Sequence, residues 1–305
     1  MTVRSLQHVA LAVPDPAAGR RFYEEFGLEA REEGRRIAMR CHGRAQDQVV
    51  LLEAPRRRLH HLCFGTRPDL LPGLKRRIED GGVRLLDAPK EHPADGLWLR
   101  DPDGVLVNVR AVEPAPALGA PEWRINTPGH YTRLGARGCP SRDTRVRPRR
   151  LGHTLRFTSD IDRQIDFYTR VLGLRLSDRS RNVVGFLHCE GGSDHHILAF
   201  LASDRPGYHH ASFEVANIDE IGLGASRLLD QGYGYGWGLG RHVLGSNFFF
   251  YIRDPWNGLA EYFCDIDYIP ADAQWDTRDW PPQDALYAWG PHVPDDFARN
   301  FEGGN

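Results

Sequence analysis

An α+β fold built from four βαβββ modules, paired into two similar domains, is what this 305-residue sequence predicts. Three observations carry the prediction. The first is an internal repeat. His8-Val-Ala-Leu-Ala-Val13, Asp15, Phe22-Tyr23 and Gly27-Leu28 recur as His153-Thr-Leu-Arg-Phe157, Asp160, Phe167-Tyr168 and Gly173-Leu174, with a His-to-Phe spacing of 14 in both copies. Second, a different unit follows each copy, opening with His60-His61-Leu-Cys-Phe64 in the first half and His209-His210-Ala-Ser-Phe213 in the second. Third, each of those units ends in an Asp-Pro turn before a last strand: Asp101-Pro102-Asp103-Gly104 or Asp254-Pro255-Trp256-Asn257-Gly258.

Each repeat copy reads as a short strand, a turn with an Asp near the helix start, and an amphipathic helix ending in Gly-Leu. The second units add a strand at the His pair, a helix over about Leu70 to Asp80 or about Ile218 to Gln231, and closing strands. Strand runs alternating with single helices, and the Asp-Pro turns before the last strands, support a mixed α+β architecture. Residues 1–112 then make an N-terminal scaffold domain and residues 151–268 a second domain. Residues 113–150 hold six prolines and little periodicity, which marks a connecting segment. Its Arg142–Arg150 stretch, broken by Pro148, reads as solvated chain whose arginines pair with acidic neighbours. The glycines at 232, 234, 236, 238 and 240 fit neither a P-loop nor a dinucleotide motif, and read as a flexible loop leading to His242, a candidate lid. The stretch 269–305 carries Trp275, Trp280, Pro281, Pro282 and Trp289. Tryptophan is costly to leave in water, so this tail is expected to pack on the domain or across a boundary in a homo-oligomer.

With 39 basic against 41 acidic residues and a formal charge of −2, the chain lacks the electrostatic footprint of a nucleic-acid binder. A neutral or weakly charged small molecule is the expected partner. Cys41, Cys63, Cys139, Cys189 and Cys264 are scattered and never form C-x-x-C, which speaks against a disulfide framework or a zinc knuckle and fits a reducing cytoplasm. No signal-peptide pattern opens the sequence, and no apolar run approaches the roughly 20 residues that cross a bilayer. No membrane partner is expected.

The chemistry concentrates after residue 150, in His153, His196, His210, His242, Tyr251 and Glu261. Two histidines and one carboxylate on one face of a metal, with the remaining positions open, are the ligand set of non-haem Fe(II) oxygen enzymes. His153 opens one strand, with Leu155 and Phe157 on its face and Thr154 and Arg156 on the other. His210 opens the matching strand of the fourth module, and Glu261 lies on that module's last strand. Three ligands on three strands converge only if the two modules close around a common cavity, and the repeat provides that symmetry.

The segment from His242 through Tyr251 and Asp254-Pro255 to Glu261 resembles the signature of the type I extradiol ring-cleavage dioxygenases, the catechol 2,3-dioxygenase-like branch of the vicinal oxygen chelate superfamily. The signature has Tyr nine residues after His and Glu ten residues after Tyr. His209-His210 before Ala-Ser-Phe, and His196 fourteen residues before His210, also fit, and the resemblance covers roughly residues 5 to 268. It implies a vicinal oxygen chelate, or glyoxalase-like, fold, in which each module pair forms an open barrel of mixed β-sheet with its helices outside. It further implies that His153, His210 and Glu261 bind Fe(II), or less commonly Mn(II), while a catechol and O2 take the open positions. The family reaction expands the ring to a lactone and hydrolyses it to a ring-opened semialdehyde. By the same resemblance His196 is the acid/base, preferred over the adjacent His195, which is expected to face the other side of its strand. His242 and Tyr251 hydrogen-bond the catecholate or lactone oxygen. Phe186, His188 and Phe250 are candidate pocket residues. Two other readings stay open: another metalloenzyme of the superfamily, such as an isomerase or an antibiotic-resistance transferase, and a non-catalytic module that binds an aromatic compound.

The first half is an internal control. His8 and His61 match His153 and His210, but Asn108 stands where Glu261 stands, each seven residues after its Asp-Pro turn. An uncharged amide leaves a divalent ion poorly neutralised, so this half is expected to bind no metal.

Overall fold

A computed structural model describes residues 1–34, 36–90, 95–112, 115, 118–120 and 122–302. The first module runs β1 (Ser5–Val13), α1 (Pro16–Glu25), β2 (Glu29–Glu33), β3 (Arg36–Arg40) and β4 (Val49–Glu53). The second follows as β5 (Arg58–Thr66), α2 (Leu71–Asp80), β6 (Leu97–Arg100) and β7 (Leu106–Ala111). The third is β8 (Arg150–Thr158), α3 (Ile161–Arg170), β9 (Leu174–Ser180), β10 (Val184–Cys189), a short β11 (Ser193–Asp194) and β12 (Leu198–Ala202). The fourth is β13 (Gly207–Glu214), α4 (Ile218–Asp230), β14 (Tyr235–His242), β15 (Phe248–Arg253) and β16 (Leu259–Cys264). The tail adds β17 (Tyr268–Ile269), α5 (Pro282–Ala285) and β18 (Tyr287–Trp289).

Two mixed sheets result, in the orders β2-β3-β4-β1-β5-β7-β6 and β18-β14-β15-β16-β13-β8-β12-β10-β9. In both, the first strands of the paired modules, β1 with β5 and β8 with β13, lie antiparallel at the centre. The helix starts follow the sequence reading. Asp15 accepts from the Ala18 N–H at 3.0 Å, Asp160 from Arg163 at 2.9 Å and Asn217 from Glu220 at 3.1 Å, each satisfying a backbone donor that a helix N-terminus leaves unpaired.

Among the described residues the second module has no full strand matching β14; Leu86 makes an isolated bridge to Trp98. The chain there reads Asp87-Ala-Pro89-Lys90, where Pro89 lacks a ladder donor and no apolar alternation holds a register. The glycine run, in contrast, is not a loop. From Tyr235 it forms β14, paired with β15 on one side and β18 on the other. A side chain at Gly240 would meet the Phe249 ring at 2.5 Å, and one at Gly236 the Tyr251 carbonyl at 2.6 Å. These glycines let backbone and rings approach closely rather than supplying mobility.

The domains share a core. Phe26 at the end of α1 stacks on Tyr262 of β16 at 3.9 Å, and the Tyr262 hydroxyl donates to the Phe26 carbonyl at 2.7 Å. On the other side of the interface, fully buried Arg156 of β8 donates to Asp101 and to Asp103 of the first domain's Asp-Pro turn, while the Tyr168 hydroxyl donates to Asp101 at 3.1 Å. Burial raises the Asp101 carboxyl, and Arg156 opposes that shift. Arg156→Ala strands this carboxylate without its cation and is expected to destabilise the fold by about 3–5 kcal/mol in denaturant titration. A loss below about 1 kcal/mol would show that water reaches the turn.

In the connecting segment the arginines divide. Arg149 and Arg150 pair with Glu220 and with Asp194 and Glu214, whereas Arg145 donates to the Glu24 carbonyl and Arg147 hydrogen-bonds to His42. The five cysteines are free, and no helix among the described residues is long and apolar enough to cross a membrane.

Candidate metal centre

The site lies on the second sheet, on the face opposite α4. Tyr262 of β16 faces that helix, since a side chain at Gly224 of α4 would meet its ring at 2.7 Å. Its neighbour Glu261 therefore faces the other way. Strand register then builds the site in one row, because His153 pairs with Ser212, Ser212 with Glu261, and Glu261 with Tyr251 across β8, β13, β16 and β15. His210 sits two residues before Ser212 and shares its face. One ligand atom from each of His153, His210 and Glu261 lies within 4.8 Å of the other two, and all three residues are buried. His153 Nε2 and His210 Nε2 are 3.2 and 3.4 Å from the same carboxylate oxygen, Glu261 Oε2.

These residues fit a divalent cation. His210 Nε2 is buried without a hydrogen-bond partner, and its orientation has a traceable cause. His209 Nε2 lies 2.8 Å from the Phe297 carbonyl, an acceptor only, so that nitrogen carries the proton. His209 Nδ1 is then an acceptor, and the Nδ1 of His210 at 2.7 Å must donate to it. What remains on His210 is the bare Nε2 lone pair, the form that ligates. Burial, reinforced by His209, His153 and His242, pushes His210 well below the ordinary imidazole range, so the ring is neutral. His209 is likewise held at about 3 by burial. Asn247 donates to the second Glu261 oxygen, Oε1, at 3.3 Å.

Beside this triad, the same logic fixes His242. Its Nδ1 donates to the Leu286 carbonyl at 2.7 Å, leaving Nε2 to accept from the Tyr251 hydroxyl at 3.0 Å. Burial and the Glu261 carboxylate raise the Tyr251 phenol well above its usual value, so it stays a donor. The His196 ring lies 4.2 Å from that of His153, centre to centre, and 4.8 Å from that of Phe186. Burial, then His153 and the other histidines, hold His196 well below the ordinary imidazole range.

A cavity of about 200 Å3 opens between these groups. His153, His196, His210, His242, Tyr251 and Phe186 line it, but His188 and Phe250 do not. A register irregularity after Phe186 turns His188 away, and its Nδ1 bonds the Ser177 hydroxyl at 2.7 Å. Phe250 neighbours the inward Tyr251 on a regular strand and so faces out, packing on Tyr235. His195 is off the cavity as well, with its ring behind that of His196. Sequence reasoning missed Asn247, although it lies within the signature segment. It also missed the apolar wall from the tail, Pro282, Ala285, Leu286, Val293, Phe297 and Ala298, which carries no motif.

In the first sheet the equivalent row is His8, Cys63, Asn108 and Trp98. There His8 Nε2 and His61 Nε2 hydrogen-bond each other at 2.9 Å. Asn108 directs its amide at the Asp95 and Leu97 carbonyls and accepts from the Cys63 thiol.

Paired modules carrying one such row define a protein of vicinal oxygen chelate type with one candidate metal site among the described residues. Residues 5–109 and 150–262 match the model of the Glyoxalase/Bleomycin resistance protein/Dioxygenase superfamily. The chain is 42% identical to metapyrocatechase 2 of Cupriavidus necator, covering 98% of this chain and 93% of that protein. It is 33% identical to an iron-dependent extradiol dioxygenase of Rhodococcus jostii, over 95% and 97% of the two chains. Among solved structures, a Mn(II)-bound glyoxalase from Novosphingobium aromaticivorans has a TM-score of 0.74 at 23% identity, covering 99% of this chain and 98% of that one. That last likeness concerns the fold, which hosts more than one chemistry. The chain belongs to the Glyoxalase/Bleomycin resistance protein/Dioxygenase superfamily and, within it, to the extradiol ring-cleaving dioxygenases.

Proposed function

We propose that this protein opens the ring of a catechol beside its diol with O2, giving a muconic semialdehyde-type product, and that its ring substituent is apolar. The observation that carries the reading is the convergence of two histidines and one glutamate with His196, His242 and Tyr251 on one apolar cavity. His153, His210 and Glu261 would hold Fe(II), with Mn(II) as the alternative ion. When bound, the ion supplies open positions that hold diol and O2 side by side and a path for electrons between them. His196 takes the proton of a catechol hydroxyl and later returns one to the product side. Tyr251, whose one O–H rests on His242 Nε2, would turn it to the substrate oxygen where negative charge develops. The tail wall excludes water.

Substrate class follows from the lining. Glu261 of the candidate metal site apart, no Lys, Arg, Asp or Glu among the described residues lines the cavity, so a carboxylated side chain would lose its hydration without gaining a partner. An apolar cavity of about 150 Å3 accepts benzene, so one ring with a short alkyl group fits this space. Aerobic assay of the iron-loaded protein is expected to give a yellow product with catechol and with 3- or 4-methylcatechol, and a kcat/KM at least about tenfold lower with catechols bearing a carboxylate. Absence of oxygen uptake with every catechol would overturn the reaction; equal rates with the carboxylated ring would overturn the substrate class.

One metal per chain belongs to the same reading, supported by the mutual hydrogen bond of His8 with His61 and by Asn108. Metal analysis after anaerobic reconstitution is expected to give one iron per chain, and two would refute it. A homo-oligomer in the cytoplasm completes the proposal. Trp123, Ile125, Tyr131 and Leu134 are exposed along the connecting segment, and the free cysteines suit a reducing compartment. Light scattering that gave a monomer would exclude the assembly.

A further inference from the structure

His195 and His196 adopt the same Nδ1-to-Nδ1 contact, at 3.0 Å, that His209 and His210 adopt at 2.7 Å. In both pairs the outer imidazole is tied down on its far nitrogen. For His209 the anchor is a backbone carbonyl. For His195 it is a carboxylate, because Nε2 lies 2.9 Å from Asp178 Oδ2 on β9. Neither His195 nor Asp178 lines the cavity, and neither belongs to the metal-ligand cluster.

Asp178 is surrounded by donors. The Trp275 indole N–H lies 3.2 Å from Oδ2, and the Arg278 backbone N–H and the Trp280 indole N–H lie 2.9 and 3.0 Å from Oδ1. Burial alone would raise this carboxyl, but His195, Trp280 and the Arg278 N–H outweigh it and hold Asp178 below the usual carboxylate range. A carboxylate accepts only, so His195 carries a proton on Nε2, and as a neutral imidazole it presents a lone pair at Nδ1. The Nδ1 of His196 must then donate.

We propose that Asp178 and His195 are positioning residues that fix His196 as its Nδ1–H tautomer, with the Nε2 lone pair turned to the cavity. Three residues of the C-terminal tail, Trp275, Arg278 and Trp280, hold Asp178 in place. His196 is thereby presented as a base before substrate arrives. The carboxylate anchor distinguishes this pair from His209–His210, whose carbonyl anchor is neutral and whose inner imidazole belongs to the metal site. The inference rests on His196 being the base of the proposed reaction.

The test reads the tautomer directly. In the full chain loaded with diamagnetic Zn(II), with histidine nitrogens labelled, long-range proton–nitrogen correlation is expected to place the His196 proton on Nδ1. A proton on Nε2 in the unaltered protein would overturn the proposal, and this measurement needs no variant. Asp178→Asn puts an amide N–H2 against either His195 or the tail donors. With iron bound, its kcat is expected to fall about 10²-fold, with KM within about twofold and metal content unchanged, and its His196 signal moves toward the Nε2–H form. A folded Asp178→Asn protein with unchanged kcat, or with an unchanged tautomer, would also overturn the proposal. Because the spectrum is read without turnover, an unaltered protein that cleaves no catechol counts against the reaction and leaves the tautomer assignment standing.

Discussion

Glu261→Gln is expected to fold and to lose iron. The substitution keeps the side chain's shape but removes the single negative charge among the ligand atoms, which leaves the cation held by two neutral imidazoles and an amide. Even changes one shell removed from a metal cost about 10–100-fold in affinity or activity, so turnover at limiting iron is expected to fall more than about 10²-fold. Glu261 is fully buried, and its charge is costly to the metal-free protein. Replacing a buried ion pair with neutral groups of similar volume is often neutral or stabilising by about 1–4 kcal/mol, and removing an uncompensated buried charge acts in the same direction. The metal-free variant is therefore expected to melt at or above the temperature of the metal-free parent. It is also expected to lose the iron-dependent rise in stability, which in the parent amounts to about 2.7 kcal/mol at a free-metal concentration one hundred times Kd. Calorimetry with and without Fe(II) separates the two effects. A variant that retained iron and its thermal shift would remove Glu261 from the ligand set.

His196→Gln is expected to separate chemistry from metal binding. His196 touches the His153 ring without sharing the row of ligand atoms, so iron content is expected to stay at the parent level. General acid and base groups contribute about 10²–10⁴-fold, and kcat is expected to fall within that range while the KM for catechol changes little. Rapid-mixing measurements with excess O2 give the cleaner reading, since binding and ring opening are then timed separately. An unchanged kcat would move the proton-transfer role to His242 or Tyr251, which already hydrogen-bond each other.

Much of this site is legible in the sequence because a strand's period of two is rigid. Once His153, Ser212 and Glu261 share a register, their faces are fixed. The same reasoning fails at His188, where one irregularity in the β9–β10 ladder rotates the face, and a bulge leaves no mark in a residue pattern. It fails at Phe250 for a simpler reason: two neighbours on one strand cannot both face one cavity. The glycines of β14 misled because glycine often signals a turn. Here they alternate with Tyr235, Trp237 and Leu239, and that alternation is the strand signal. The cavity wall from residues 282–298 was out of reach, since its contacts depend on how a motif-free tail returns across the second sheet.

If the proposed reaction holds, that return separates the protein's reactivity from its selectivity. The three candidate ligands stand on β8, β13 and β16 in the middle of the second sheet, while much of the apolar cavity wall belongs to the C-terminal tail. Grafting the corresponding terminus of a homologue offers a route to new substrate preferences. The graft must keep a carbonyl where Phe297 steadies His209 and the indoles that cradle Asp178.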